Sequence, residues 1–205
     1  MQQGLLPLFP LQVVLLPGSE LPLHIFEDRY KEMIGEAIRD KTEFGVVLAS
    51  EKGIVSTGCT AAIYRVLRRY SDGRLDILAV GRRRFEVVLV NDERSFLRGA
   101  VEFFEDEDAD SAASGMLERA ILGYNALQAL SADDPLSPTD ESDPLLSFRL
   151  ARSVTDLTFR QQLLATRSEA DRIRQVADFM PGFLVKQRRI QSVKDSAPRN
   201  GHGPH

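Results

Sequence analysis

The amino-acid sequence predicts an α+β fold, in which a β-rich half with one helix is followed by a small C-terminal helical bundle. From Leu5 to about Phe104 the chain consists of short apolar runs separated by turn residues, which favours strands. From Leu117 onward apolar residues recur at every third or fourth position, the period of a helix. The change of period predicts four segments: a β-rich subdomain over residues 1–105, an acidic connector over 106–114, a helical bundle over 115–190 and a disordered tail over 191–205.

A single amphipathic helix interrupts the β-rich half. The stretch FEDRYKEMIGEAIRDK carries apolar residues on one face at helical spacing, with charged residues opposite. These apolar residues are Tyr30, Met33, Ile34, Ala37 and Ile38. We expect this face to pack on the sheet.

The strongest local signal is a β-hairpin. Asp72-Gly73 tolerates the positive φ angles of a tight hairpin turn, so residues 63–69 are predicted to pair with residues 75–80. Further on, LRGAVEF alternates apolar Leu97, Val101 and Phe103 with charged residues, which predicts a last strand with one face on the core.

The helical half is expected to contain several helices and one long loop. The proline-rich stretch SADDPLSPTDESDP predicts the loop, after which a helix restarts near Leu145 and a short one follows around residues 159–165. A longer helix begins after Ser168, whose sequence SEAD resembles a capping box. The pair Pro181-Gly182 predicts that this helix kinks or ends near Met180.

Composition limits the kinds of partner. A chain of 205 residues with 43% hydrophobic residues can bury a core, and its net charge of -4 disfavours nucleic acid and anionic membranes. The apolar N-terminal run is broken by prolines, and no later stretch has the length of a membrane helix. A single cysteine, Cys59, needs no oxidising compartment, so we expect a cytoplasmic protein.

The sequence offers little catalytic chemistry. GIVSTGCT has the spacing of a phosphate-binding loop, but Cys59 replaces the essential lysine. Only His24 lies outside the C-terminal tail, so histidines cannot form a metal cluster or a triad. The acidic run EFFEDEDAD is expected to be solvated. We therefore predict no catalytic residue, no cofactor and no metal.

Arginines form the one basic feature of the β-rich half. Arg82, Arg83 and Arg84 lie across the predicted hairpin from Arg65, Arg68 and Arg69, which could together bind phosphates. Acidic residues nearby in sequence favour a surface of mixed charge instead. RNA binding stays open as an alternative.

Several strings in order resemble one protein family. LLPLFPLQVVLLPGSELPLHIFEDRY is similar to the opening of the Lon protease N-terminal domain, and FGVVL, TGCTAAI and DGRLDILAVGRRRFEV continue the likeness. LLSFRLARSV and SEADRIRQV resemble its bundle helices more loosely. The resemblance runs from about Leu5 to Leu184. It implies a PUA-like pseudo-barrel followed by a helical bundle, in a stand-alone form without the family's ATPase and serine-lysine peptidase domains.

In that family the domain selects and holds unfolded or tagged polypeptides, so the resemblance implies a non-catalytic protein-binding module. A protease or chaperone machine is a further expected partner, and a homo-oligomer is left open. An apolar groove between the two halves is the expected site, and an aromatic residue at the junction or the proline break can stay partly exposed. The residues chosen on this basis are Phe103, Phe104, Phe179 and Phe183. The alternative interpretation is that these four side chains are buried in the core.

Three other functions remain open. An enzyme centred on His24 would require a deep pocket in which this histidine faces a carboxylate. An RNA-binding PUA-like protein would require a continuous arginine face. An adaptor for one folded partner, such as a protease machine, cannot be separated from polypeptide capture by sequence.

Overall fold

The computed structural model describes residues 4–107, 112, 114–130 and 143–196. Its element order confirms the α+β class, with the strands and one helix first and four helices after them. The elements are β1 (Leu6–Leu11), β2 (Glu20–Ile25), α1 (Asp28–Asp40), β3 (Phe44–Ser50), β4 (Gly53–Arg69), β5 (Leu75–Asn91), β6 (Arg98–Phe103), α2 (Ser114–Gln128), α3 (Leu146–Ala151), α4 (Leu157–Ala165) and α5 (Glu169–Ser196).

The six strands form one sheet that closes on itself. Their order is β2-β5-β4-β3-β1-β6, and β6 also pairs with β5, so five strands complete a pseudo-barrel. The long strand β5 pairs with β2 over residues 75–80 and with β6 over residues 85–91. Only β1 and β3 run parallel. Closure protects the strand edges that an open sheet would expose.

The predicted hairpin is confirmed. Ile63 lies opposite Ala79 and Arg69 opposite Leu75, and Gly73 adopts a φ of +86° in the turn. Both strands extend well beyond the predicted pairing, because β4 and β5 are each 17 residues long. The second strand prediction also holds, as β6, although Phe103 at its end is 40% exposed and does not join the core.

Helix α1 forms as predicted and buries the expected face. Tyr30, Met33, Ile34 and Ala37 are all buried, and the Tyr30 ring lies 4.1 Å from that of Phe9 on β1. Lys41 ends the helix in the left-handed conformation. Periodicity alone located this element because its apolar residues follow one face throughout.

The sequence predicted that the last helix kinks or ends near Met180. An end at this point is wrong, because α5 runs without interruption to Ser196 with Pro181 inside it. Pro181 and Gly182 are exposed, while Met180 and Phe183 on either side are buried. Met180 packs closely on α2. If Gly123 on α2 carried a Cβ atom, that atom would lie only 2.7 Å from the Cβ of Met180. Tertiary packing therefore outweighs the local cost of proline. At the other end, the Ser168 hydroxyl accepts a hydrogen bond from the Asp171 amide at 3.3 Å.

One large hydrophobic cluster is shared by the sheet and the helices. It includes Phe44 and Ile77 from strands together with Phe148 and Val176 from helices. A smaller cluster around Phe85 also contains Leu8 and Val47. Within the described part of the chain, none of the helices has the length and hydropathy needed to cross a bilayer. The loop predicted at 131–144 lies almost wholly outside the described residues. Of the disordered tail predicted at 191–205, residues 191–196 instead belong to α5, and the rest lie outside the described residues.

Candidate functional site

A buried ionic network joins the two halves of the protein. Arg84 on β5 and Arg172 on α5 are 6% and 1% exposed. Both donate to the carboxylate of Asp106, Arg84 at 2.6 Å and Arg172 at 2.5 and 2.6 Å. The carbonyl oxygen of Thr166 also accepts from both guanidinium groups, at 2.6 and 2.8 Å. Asp106 thus fixes the distance between a strand and a helix.

A second helix, α3, enters the same network through Ser147. The Ser147 hydroxyl accepts from Arg172 Nε at 2.9 Å and donates to Glu169 at 2.7 Å. Glu169 in turn accepts from Arg172 at 2.5 Å. Each buried charge therefore has an opposite charge and further hydrogen bonds, as burial of ions requires.

Electrostatics in the network favour the charged forms of Asp106 and Arg172. Burial raises the pKa of Asp106, but hydrogen bonds from Arg172 and Arg84 outweigh it and leave that pKa below its usual range. Burial lowers the pKa of Arg84. It acts the same way on Arg172, where hydrogen bonds to Asp106 and the charge of Glu169 reverse the effect and raise the pKa. Asp106 keeps contact with solvent, its side chain being 25% exposed, but cationic partners remote in sequence lower its pKa, which the acidic run alone did not predict.

Beside this network an open groove of about 410 Å³ lies between the sheet and the helices. Its exposed apolar surface comes from Phe103 on the sheet side, 40% exposed, and Leu145 on the helix side, 37% exposed. Phe148 is buried beneath, with the Arg172 guanidinium 4.5 Å above its ring. We call this space the junction groove. Its lining residues are Pro17, Arg82, Arg83, Arg84, Phe103, Phe104, Glu105, Asp106, Pro144, Leu145, Phe148 and Arg172.

Arginines hold the aromatic rings of the junction groove in place. The Arg83 guanidinium lies 4.0 Å from the centre of the Phe103 ring. Phe104 has two such neighbours, Arg167 at 4.4 Å and Arg84 at 4.8 Å. Contacts of this kind stabilise an aromatic ring at a solvated edge.

The four predicted site residues separate into two places. Phe103 and Phe104 line the junction groove. Phe179 instead stacks on Phe159 of α4 with ring centres 3.9 Å apart, and Phe183, 7% exposed, lies against it. Sequence reasoning missed Leu145 and Phe148 as lining residues, because the groove that they share with residues of β5 and β6 depends on the tertiary fold. The run Arg82 to Arg84, which also lines the junction groove, was the sequence feature that could have pointed to this site.

The features considered for other functions occupy less suitable places. His24 does face a carboxylate, with Nδ1 2.6 Å from Asp76, but it lies 45% exposed on β2 and outside the junction groove. Cys59 is fully buried, which raises its pKa to about 12 and suppresses the thiolate. The predicted arginine patch is interrupted, since Arg84 points into the junction. Among the described residues, no group of three His, Cys, Asp or Glu side chains could hold a metal.

The fold is that of a PUA-like pseudo-barrel carrying a helical bundle, and comparisons with known proteins define the class. Residues 5–181 match the model of the ATP-dependent protease La (LON) substrate-binding domain. The chain belongs to this family. The resemblance drawn from the sequence is therefore confirmed.

Individual relatives agree. Lon protease 1 of Hydrogenovibrio crunogenus is 31% identical over 88% of this chain, and Lon protease of Parabacteroides distasonis is 32% identical over 51%. The aligned parts make up only 24% and 14% of those proteins, so the chain spans a small part of their length. The match covers the substrate-binding domain and no ATPase or protease domain.

Solved structures show the same fold. The Lon N-terminal domain protein from Xanthomonas campestris superposes with a TM-score of 0.70 at 26% identity, covering 87% of this chain and all of that one. The N-terminal domain of Mycobacterium avium complex Lon protease reaches 0.61 at 20% identity, over 87% of this chain and 98% of that one.

Proposed function

We propose that this protein is a non-catalytic recognition module that holds unfolded or tagged polypeptide segments in the junction groove. The observation that carries the proposal is the exposed pair Phe103 and Leu145, which face one groove from opposite halves of the molecule. A substrate-binding family supports the same function. Folded proteins bury most large apolar side chains, so a groove of this kind distinguishes unfolded chains from folded ones.

The dimensions of the junction groove suit a short apolar segment. Its volume of about 410 Å³ lies within the range of about 300–1,000 Å³ that is usual for ligand sites. The polar atoms of Arg84, Asp106 and Arg172 are already paired, so they line the wall without competing for an apolar ligand. Guanidinium groups already restrict the rings of Phe103 and Phe104, so less side-chain entropy is lost when a ligand binds against them.

The proposed module binds its ligand without catalysing a reaction. The His24 and Asp76 pair is exposed, and the thiol of Cys59 is buried, so neither forms an activated nucleophile in a cleft. A cytoplasmic location, and transfer of bound chains to a protease or chaperone machine, follow from the same hypothesis.

The test is fluorescence anisotropy with a permanently unfolded protein, its folded counterpart and a single-stranded RNA, each at two salt concentrations. We expect the protein to bind the unfolded chain in preference to the folded one, with little effect of salt. RNA binding that collapses with salt would support the RNA alternative. Absence of binding to all three would favour an adaptor for one folded partner.

A matched pair of leucine substitutions locates the site. Leu145→Ser removes an exposed apolar side chain from the junction groove, and Leu122→Ser removes one that is 60% exposed on α2. Loss of an interface anchor costs about 1–2 kcal/mol, so Leu145→Ser should weaken binding of the unfolded chain about five- to thirtyfold. Equal effects of the two substitutions would contradict the proposed location.

A further inference from the structure

The charges of the junction groove differ from those of the whole protein. Four arginines and two carboxylates line it, a formal balance of +2, whereas the chain carries a net charge of -4. The excess of positive charge is therefore local. A ligand that enters this space meets cations more often than anions.

The inner charges of the groove are already compensated. Arg84 and Arg172 share Asp106, and Arg172 also pairs with Glu169. Breaking these contacts for a ligand would separate a buried guanidinium from its carboxylate partner, which is costly. The inner arginines are consequently not available to bind a second anion.

The outer arginines remain available, and Glu105 is the outer carboxylate of the lining. Arg82 is exposed, and within the described part of the chain its guanidinium has neither a hydrogen bond nor an ion pair. Arg83 is also exposed, with Glu43 at 3.6 Å as its nearest carboxylate. Both line the junction groove together with the exposed ring of Phe103, which the Arg83 guanidinium covers at 4.0 Å. The groove therefore combines an apolar surface with a cation that has no partner among the described residues.

We propose that the junction groove selects polypeptide segments in which a large apolar side chain is adjacent to a carboxylate. This inference rests on the proposed function and specifies its substrate class. The apolar side chain lies against Phe103 and Leu145, and the carboxylate pairs with Arg82. Segments rich in lysine or arginine are disfavoured because Arg82 and Arg83 repel them. The carboxylate belongs either to an acidic side chain or to a chain terminus, since both present the same group.

The protein contains no tryptophan, so a peptide with one tryptophan reports its own binding by a shift of its emission. Four peptides share one apolar core around this residue. They carry a flanking glutamate with an amidated end, a flanking glutamine with an amidated end, a flanking glutamine with a free C-terminal carboxylate, and a flanking lysine with an amidated end. An exposed ion pair contributes up to about 1 kcal/mol, about a fivefold difference in Kd.

We expect the glutamate peptide to bind about three- to fivefold more tightly than its glutamine counterpart at low salt and the lysine peptide to bind most weakly. High salt should remove the difference between glutamate and glutamine. A gain for the free carboxylate alone would assign the preference to chain termini, and a gain for glutamate alone to side chains; either supports a carboxylate subsite. Equal binding of all four peptides would overturn the charge preference and leave the proposed function intact. Failure of all four to bind would overturn both.

Two substitutions assign the preference to a residue. Arg82→Gln should lower affinity for the glutamate peptide about three- to fivefold and leave that for its glutamine counterpart unchanged. Arg69→Gln makes the same change of charge at the far end of the β4–β5 hairpin, beyond the junction groove. If Arg69→Gln has the same effect as Arg82→Gln, the preference comes from overall charge and the inference is wrong.

Discussion

Arg82 and Arg84 lie two residues apart on β5 but have different environments. Arg84 is 6% exposed and bonded to Asp106, whereas Arg82 is exposed at the rim of the junction groove. The first joins the sheet to the helices, and the second has no partner among the described residues. We propose that the same type of side chain stabilises the junction where it is buried and serves recognition where it is exposed. Substitutions at the interior and at the rim should therefore have separable effects.

The largest expected effect is on the interior side. Arg172→Met leaves Asp106 and Glu169 without their shared buried cation, which should destabilise the protein by about 3–5 kcal/mol. Urea unfolding followed by circular dichroism measures this. A loss below about 1 kcal/mol would mean that the ionic network does not hold the junction together.

A second interior change adds a dependence on pH. Asp106→Asn leaves two buried arginines without their common anion and should cost about 3 kcal/mol at neutral pH. Because the pKa of Asp106 is lowered in the folded state, its stabilisation is present above the unfolded value of about 3.9 and is lost as pH falls through the folded value. The difference from wild type should therefore shrink below about pH 4. A difference that stays constant down to pH 2 would exclude this origin.

A double-mutant cycle tests whether the two interior arginines act together. Arg84 and Arg172 act through one carboxylate, so Arg84→Met and Arg172→Met should not add, and their coupling should be about 1–3 kcal/mol. Chemical unfolding of both single variants and the double variant gives this energy. Additivity within about 0.3 kcal/mol would show that the two arginines are independent.

The smallest expected effect on stability is at the rim. Arg82→Met removes an exposed guanidinium without an ion pair among the described residues, so its unfolding midpoint should equal that of the wild type. The same variant should still show weaker binding of the glutamate peptide. A clear loss of stability would place Arg82 with the interior residues instead.

Local chemistry made much of the β-rich half predictable. The Asp72-Gly73 turn fixes a hairpin between neighbouring segments, and the apolar face of α1 repeats over a single stretch of sequence. Both signals act between residues close in the chain. Closure of the strands into a barrel involves distant pairings, and only the resemblance to a family indicated it; the strand order was not predicted.

The errors fall where distant contacts decide the outcome. Pro181 predicted a break, but packing of Met180 on α2 keeps α5 continuous. The lowered pKa of Asp106 was not expected because its partner Arg172 lies 66 residues away. For the candidate site, Phe103 and Phe104 follow from their position at the junction, while Leu145 comes from a helix whose placement no local pattern gives.

We propose that unfolded chains bind in the junction groove. Site-specific photo-crosslinking detects such a contact at the residue where it occurs. A photoreactive phenylalanine analogue replaces Leu145 in one variant and Tyr64, which is 70% exposed on β4 and outside the junction groove, in another. We predict that a permanently unfolded protein crosslinks at position 145 and that its folded counterpart does not, with little product at position 64. Equal crosslinking at both positions, or none at position 145 under conditions where binding is measured, would contradict the account.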